Sequence, residues 1–136
     1  MYLFDTDALS QILKKNPSVP FIRKIASLTP EVQFTTTITV GELVYGAYKS
    51  SRPEFFIGRL EELVWPNIHI LSFDESAAKI YGKLRAEMER KGTPLAEPDL
   101  RIVSIALCHG LTVITGNMRH FSKVPELAVE NWMHES

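Results

Sequence analysis

Residues 98 to 115 narrow the possible folds more than any other stretch. Pro98-Asp99 opens a helical segment in which Ile102, Val103, Ile105, Ala106 and Leu107 leave almost no polar face, and Gly110 ends it. A helix that is apolar nearly all round is expected to be buried. Leu111-Thr112-Val113-Ile114-Thr115, the strongest strand signal in the chain, follows at once. Helix and strand therefore read as one unit of a strand–helix alternation.

The alternation runs the length of the chain. Tyr2-Leu3-Phe4 reads as a buried strand, followed by Asp5-Thr6-Asp7 and a helix through Leu13. Asn16-Pro17-Ser18 breaks the chain before a second helix around Phe21, Ile22, Ile25 and Leu28. Val32-Gln33-Phe34 starts a strand that runs into Thr35-Thr36-Thr37, and Thr39-Val40-Gly41-Glu42 has the form of a capping box opening the next helix. Val40, Leu43, Val44 and Ala47 make its core stripe, with Glu42, Tyr45, Gly46 and Lys49 on a different face. A helix carrying Phe55, Phe56, Leu60 and Leu63 ends at Trp65-Pro66, and Ile68 to Leu71 is the third strand. Asp74 is expected to cap a long helix with Ala77, Tyr81, Leu84 and Met88 inward, stopped by Gly92 and Pro94. Leu127-Ala128-Val129 is the last expected strand.

Such an order predicts a three-layer α/β domain, a central mostly parallel sheet of four to five strands with helices on both faces and right-handed crossovers. The 136 residues fit a single domain spanning 1–136, without repeats or linkers. No apolar run approaches the roughly 20 residues of a membrane span, and no basic segment precedes an apolar run at the N-terminus, so no signal peptide and no membrane are expected. Cys108 is the only cysteine, which excludes an internal disulfide or a Cys-rich zinc site and fits a reducing cytoplasm. A net charge of −1 gives no global field that draws nucleic acid, so any such role rests on local patches.

Four polar residues share a placement. Asp5 follows the first strand, Glu42 the second, Asp99 heads the buried helix, and Asn117 lies just past the fourth strand. In open parallel sheets ligands sit beyond the carboxyl ends of the strands, and clustered carboxylates persist where a cation neutralises them. An all-oxygen donor set suits Mg²⁺ or Mn²⁺ better than Zn²⁺. Each residue also has a plain role: Glu42 in its capping box, Asp99 at the positive end of a helix, Asn117 in a turn. Capping is assigned to Asp7, which leaves Asp5 the acid that capping does not explain.

Leu3-Phe4-Asp5-Thr6-Asp7-Ala8-Leu9, the stretch Thr37 to Ala47 and Pro98-Asp99-Leu100-Arg101-Ile102 resemble the signature blocks of PIN-domain nucleases. Thr115-Gly116-Asn117-Met118-Arg119-His120-Phe121 followed by Val129-Glu130-Asn131-Trp132 resembles their closing block. In order, spacing and size the chain is similar to the VapC toxins of type II toxin–antitoxin pairs. The resemblance implies a PIN-like fold and a Mg²⁺- or Mn²⁺-dependent endoribonuclease that attacks the phosphodiester with metal-activated water. It also implies a cognate VapB-like antitoxin, a homodimer, and an RNA substrate such as a tRNA or ribosomal RNA loop. By motif position Asp5, Glu42, Asp99 and Asn117 are the catalytic set, with Asp5, Asp99 and Glu42 on the metal. Two departures stand out: Asp7 where many relatives have Asn, and His120 where many carry another acid.

Lys49, Arg119 and Lys123 are the basic residues best placed to grip RNA, each with the plain reading of a solvated charge, and Tyr45 is a candidate stacking residue. Two rival readings remain open at this point. Asp5-Thr6-Asp7 also matches the nucleophile motif of haloacid-dehalogenase-like phosphatases, although Leu9 stands where those usually have Thr or Val. A PIN-like module that binds RNA or protein without cleaving it is the other, favoured by His120.

Overall fold

The computed structural model describes residues 1–134. The strands are β1 (Tyr2–Phe4), β2 (Gln33–Thr36), β3 (His69–Leu71), β4 (Thr112–Ile114) and β5 (Val129–Glu130). Between them run α1 (Thr6–Ser10), α2 (Val19–Ala26), α3 (Thr37–Lys49), α4 (Pro53–Arg59), α5 (Glu75–Arg90), α6 (Glu97–His109) and α7 (Met118–Phe121). All strand pairs are parallel, in the order β3-β2-β1-β4-β5. The expected three-layer α/β architecture is present, with a sheet that is wholly parallel.

Alternate side chains of the two central strands feed two cores. Leu3 and Val113 pack with α5 and α6 through Ala77, Leu84, Met88, Ile102 and Ile105. Phe4 and Ile114 pack on the opposite face with Ala8, Leu9, Phe21, Leu43 and Leu60. There Phe4 meets Phe21 and Trp132 edge-to-face, at centroid distances of 6.1 and 5.5 Å. Truncating a fully buried Phe of this kind to Ala costs about 3–5 kcal/mol.

The helix that is apolar nearly all round, α6, buries Leu100, Ile102, Val103, Ile105 and Ala106. Gly110 stops it in the left-handed region (φ +64). The Gly110 N–H donates to the Leu107 carbonyl and the Leu111 N–H to the Ala106 carbonyl, at 3.4 and 3.0 Å, the paired bonds of a Schellman ending. The chain is thereby turned straight into β4.

Two local expectations are corrected. The helix after β2 begins at Thr37, and its cap is Thr36, whose Oγ1 accepts from the Thr39 N–H at 3.1 Å. Thr39 is thus inside the helix and fully buried, so Glu42 does not complete a capping box. The last strand starts at Val129, two residues late, because Leu127 packs as part of the turn leading into it. Asp74 caps α5 as expected, accepting from the Ala77 N–H at 3.0 Å.

Candidate active site

β1 lies between β2 and β4, and the chain builds outward first on one side and then on the other. The β1–β4 border is therefore a switch point, where the carboxyl ends of parallel strands open a crevice. The register Phe4↔Ile114 brings Asp5 and Thr115 side by side at that edge, tied by the Asp5 N–H to the Ile114 carbonyl at 3.1 Å.

Asp5, not Asp7, caps α1: its Oδ1 accepts from the Ala8 N–H at 2.8 Å. Only 3% of its surface is exposed. Burial pushes its pKa up to about 7, with the Asp7 and Asp99 charges adding to the rise and the Thr115 hydroxyl and Ala8 N–H opposing it. Asp7 instead crosses to the turn after β4, where its Oδ2 accepts from the Gly116 N–H at 3.1 Å. A Cβ at residue 116 would stand 2.3 Å from that carboxylate oxygen, so the approach requires glycine.

Glu42 is half-buried one turn into α3, and the Thr6 hydroxyl donates to its Oε1 at 2.5 Å. Thr6 also lies 3.2 Å from the Thr39 hydroxyl, so α1 and α3 are stitched by threonines beside the acid. Asp99 sits in the first turn of α6. Its pKa is raised by burial first, then by the Glu42 and Asp7 charges, while His120 pulls it down. Asn117 precedes α7, its carbonyl accepting from the His120 and Phe121 N–H groups; its own N–H donates to Thr115 Oγ1 at 3.0 Å, and its Oδ1 is 2.8 Å from His120 Nδ1.

The structure thus brings Asp5, Glu42, Asp99 and Asn117 into one open cleft of about 540 Å³, together with Thr6 and Asp7. No salt bridge among the described residues reaches any of its acids. The donors are all oxygen, with Asp5 buried and Glu42, Asp99 and Asn117 half-buried, and no lysine or arginine lines the cleft, which fits a hard divalent cation. Among the described residues no three His, Cys, Asp or Glu side chains stand close enough to enclose an ion as they are. Lys49, Arg119 and Lys123 are exposed and none lines the cleft; the Lys49 ammonium lies 5.7 Å over the Tyr45 ring. Sequence reasoning missed Thr6, Thr39 and Thr115, because threonine after a strand reads equally as strand or cap. His120, in the sequence a departure from the family pattern, is coupled to both Asn117 and Asp99.

Comparison with known proteins follows the same lines. A family model described as the PIN domain matches residues 2–127. The tRNA(fMet)-specific endonuclease VapC of Salmonella typhimurium is 34% identical over 131 residues, 96% of this chain and 97% of that protein. The crystal structure of DNA-bound VapBC from Salmonella typhimurium superposes with a TM-score of 0.86 at 34% identity, covering 96% of this chain and 97% of that one. FitAcB from Neisseria gonorrhoeae gives a TM-score of 0.91 at 31% identity, covering 99% and 100%.

Proposed function

This chain belongs to the PIN-domain family, within its VapC branch, and from that premise we propose that it is a Mg²⁺- or Mn²⁺-dependent endoribonuclease, the toxin of a toxin–antitoxin pair. The observation that carries the reading is the convergence of Asp5, Glu42 and Asp99 from separate elements on one cleft that no lysine or arginine lines. The phosphatase reading falls with the family, and Asp5 is engaged as a helix cap.

Asp5, Glu42 and Asp99 would hold the cation, drawn inward from their present spacing. When bound, it would lower the pKa of a water and screen charge on the phosphodiester oxygens. The chain's own part is positioning and proton transfer. Asp5 is fixed by burial and by the Ala8 N–H. Glu42, aimed by Thr6, is placed to take the proton from the attacking water. Asn117, held through His120, lines the same cleft and adds a polar side chain for the substrate phosphate. Lys49, Arg119 and Lys123 add diffuse attraction for RNA from outside the cleft.

The relatives point to the partners. The Salmonella protein is a tRNA(fMet)-specific endonuclease, and its solved structure is a VapBC complex on DNA. By analogy this chain cleaves a tRNA or ribosomal RNA loop and is held inactive by a VapB-like antitoxin, as a homodimer in the cytoplasm. Among the described residues no helix is long and apolar enough to cross a membrane.

The test is cleavage of a tRNA and ribosomal RNA pool by the purified chain with Mg²⁺ or Mn²⁺, with EDTA, and with Asp99→Asn. Cleavage restricted to the metal-loaded wild type is expected, as is growth arrest on expression that Asp5→Ala relieves. Binding of RNA without cleavage in either metal would make the chain a non-catalytic module.

A further inference from the structure

The walls of the acidic cleft carry Asp5, Asp7, Glu42 and Asp99 and no lysine or arginine, so the cleft repels the phosphates of its own proposed substrate. One turn along the same segment the charge reverses. A 3-10 turn, Gln11–Leu13, extends α1 from Ser10, which lines the cleft, to Leu13, which lines a second cavity of about 430 Å³ against α4. Three residues of 3-10 helix advance only about 6 Å. The second cavity is walled by Lys14, Lys15, Arg52 and Arg59 and by no acid.

The two arginines are held in place. The Arg52 guanidinium lies 4.0 Å from the Phe55 ring centroid and that of Arg59 lies 5.6 Å from it. A guanidinium stacked on a ring keeps its N–H edge for an anion. Arg59 Nη2 donates to the Ile12 carbonyl at 3.1 Å, which fixes the head group. Its Nε is buried and, among the described residues, has no hydrogen-bond partner, a desolvated donor that costs stability while unmet. Four like charges around one cavity also repel one another, and an anion in the cavity offsets that repulsion.

We propose that this cavity is a phosphate site for the RNA backbone, gripping the substrate a few nucleotides from the bond held in the acidic cleft. The proposal rests on the endoribonuclease reading and deepens it. RNA is favoured over an acidic protein segment because the adjoining acids need a polyanion to be anchored from nearby, and the cavity stands within about 6 Å of a cleft residue along the chain.

Lys15 and Arg52 are both exposed, so replacing them leaves the core intact. The experiment places Lys15→Gln/Arg52→Gln in the full chain carrying Asp99→Asn, so that binding is read without cleavage. Anisotropy of a labelled single-stranded RNA is measured against salt, with Lys83→Gln/Lys91→Gln, exposed positions on or just after α5, as the charge-matched control. Affinity is expected to fall roughly tenfold at 0.1 M salt, and the slope of log K against log salt to lessen by about 0.7 per lost contact, with the control unchanged. In the cleavage-competent chain KM rises while kcat is kept. Unchanged RNA affinity and slope, or a loss equal to the control's, overturns the proposal. So does retained RNA binding with loss of affinity for a poly-glutamate peptide, which assigns the cavity to an acidic protein. If the variant loses RNA binding but the wild type cleaves no RNA in either metal, the nuclease reading falls and the phosphate site stands.

Discussion

Glu97 and Asp99 stand two residues apart in the first turn of α6, in opposite surroundings. Glu97 is on the surface, accepts from the Tyr81 hydroxyl, and pairs with Arg85 at 2.9 Å and Arg101 at 3.3 Å. The Tyr81 hydrogen bond first, and then the two guanidiniums, hold its carboxyl below the usual range. Asp99 turns inward, meets Glu42 and Asp7 rather than any arginine, and its carboxyl is pushed up. Both acids satisfy the preference for negative charge at a helix N-terminus, so that preference does not separate them. What separates them is compensation: one acid ties α5 to α6, and the other is left for something the chain does not itself supply.

Several substitutions probe this contrast. The largest effect belongs to Asp99→Asn, which should lower RNA cleavage by more than about a hundredfold, beyond the usual cost of losing a supporting partner of a metal ligand. Cleavage near the wild-type rate would mean that Asp99 is no more functional than Glu97.

Asp5 gives the next largest effect, on stability. Its folded pKa, about 7, lies above the ordinary 3.8. Its contribution is therefore full below about pH 4 and is lost as pH rises through 7. Ionising it in the metal-free fold costs on the order of 4 kcal/mol. Asn at this position keeps an oxygen for the Ala8 N–H and removes the charge. Urea unfolding in EDTA should show Asp5→Asn gaining over the wild type between pH 4 and pH 8; a constant gap would show that Asp5 is compensated after all.

Thr6→Val removes the hydroxyl that aims Glu42. A lost hydrogen bond to a charged group is worth about 1.5–3 kcal/mol. A fall in kcat of roughly tenfold or more is expected, with KM little changed and Thr6→Ser restoring the rate. The smallest effect is on the other side of the comparison. Glu97→Gln should leave cleavage at the wild-type level and produce only a slight loss of thermal stability, because its partners stay solvated.

The fold was legible where side-chain period and end signals agree. α6 and β4 are the clearest case, with a continuous apolar surface, Gly110 and a β-branched run in immediate succession. The convergence of Asp5, Glu42, Asp99 and Asn117 was legible too, because strand–helix alternation places every strand's carboxyl end on one edge. Local ambiguity hid the rest. Asp5-Thr6-Asp7 offers two caps for one helix, and only burial shows that Asp5 takes the Ala8 N–H while Asp7 reaches Gly116. Thr36 and Thr39 compete in the same way, and only the helix start at Thr37 shows that Thr36 is the cap. The basic cavity joins Lys14 and Lys15 to Arg52 and Arg59 across some forty positions, a proximity that no local pattern encodes. The doublet Lys14-Lys15 and the two arginines flanking Phe55-Phe56 were the available signal.

Thermal melting with increasing Mn²⁺ at pH 8, wild type beside Asp5→Asn, tests most directly whether the acidic cleft awaits a cation. A ligand bound only by the folded state stabilises by about 2.7 kcal/mol at a hundredfold excess over its Kd. The melting temperature of the wild type should climb with Mn²⁺ and overtake that of Asp5→Asn, which starts higher and responds little. Parallel curves, or a wild type indifferent to Mn²⁺, would contradict a cation site built on Asp5.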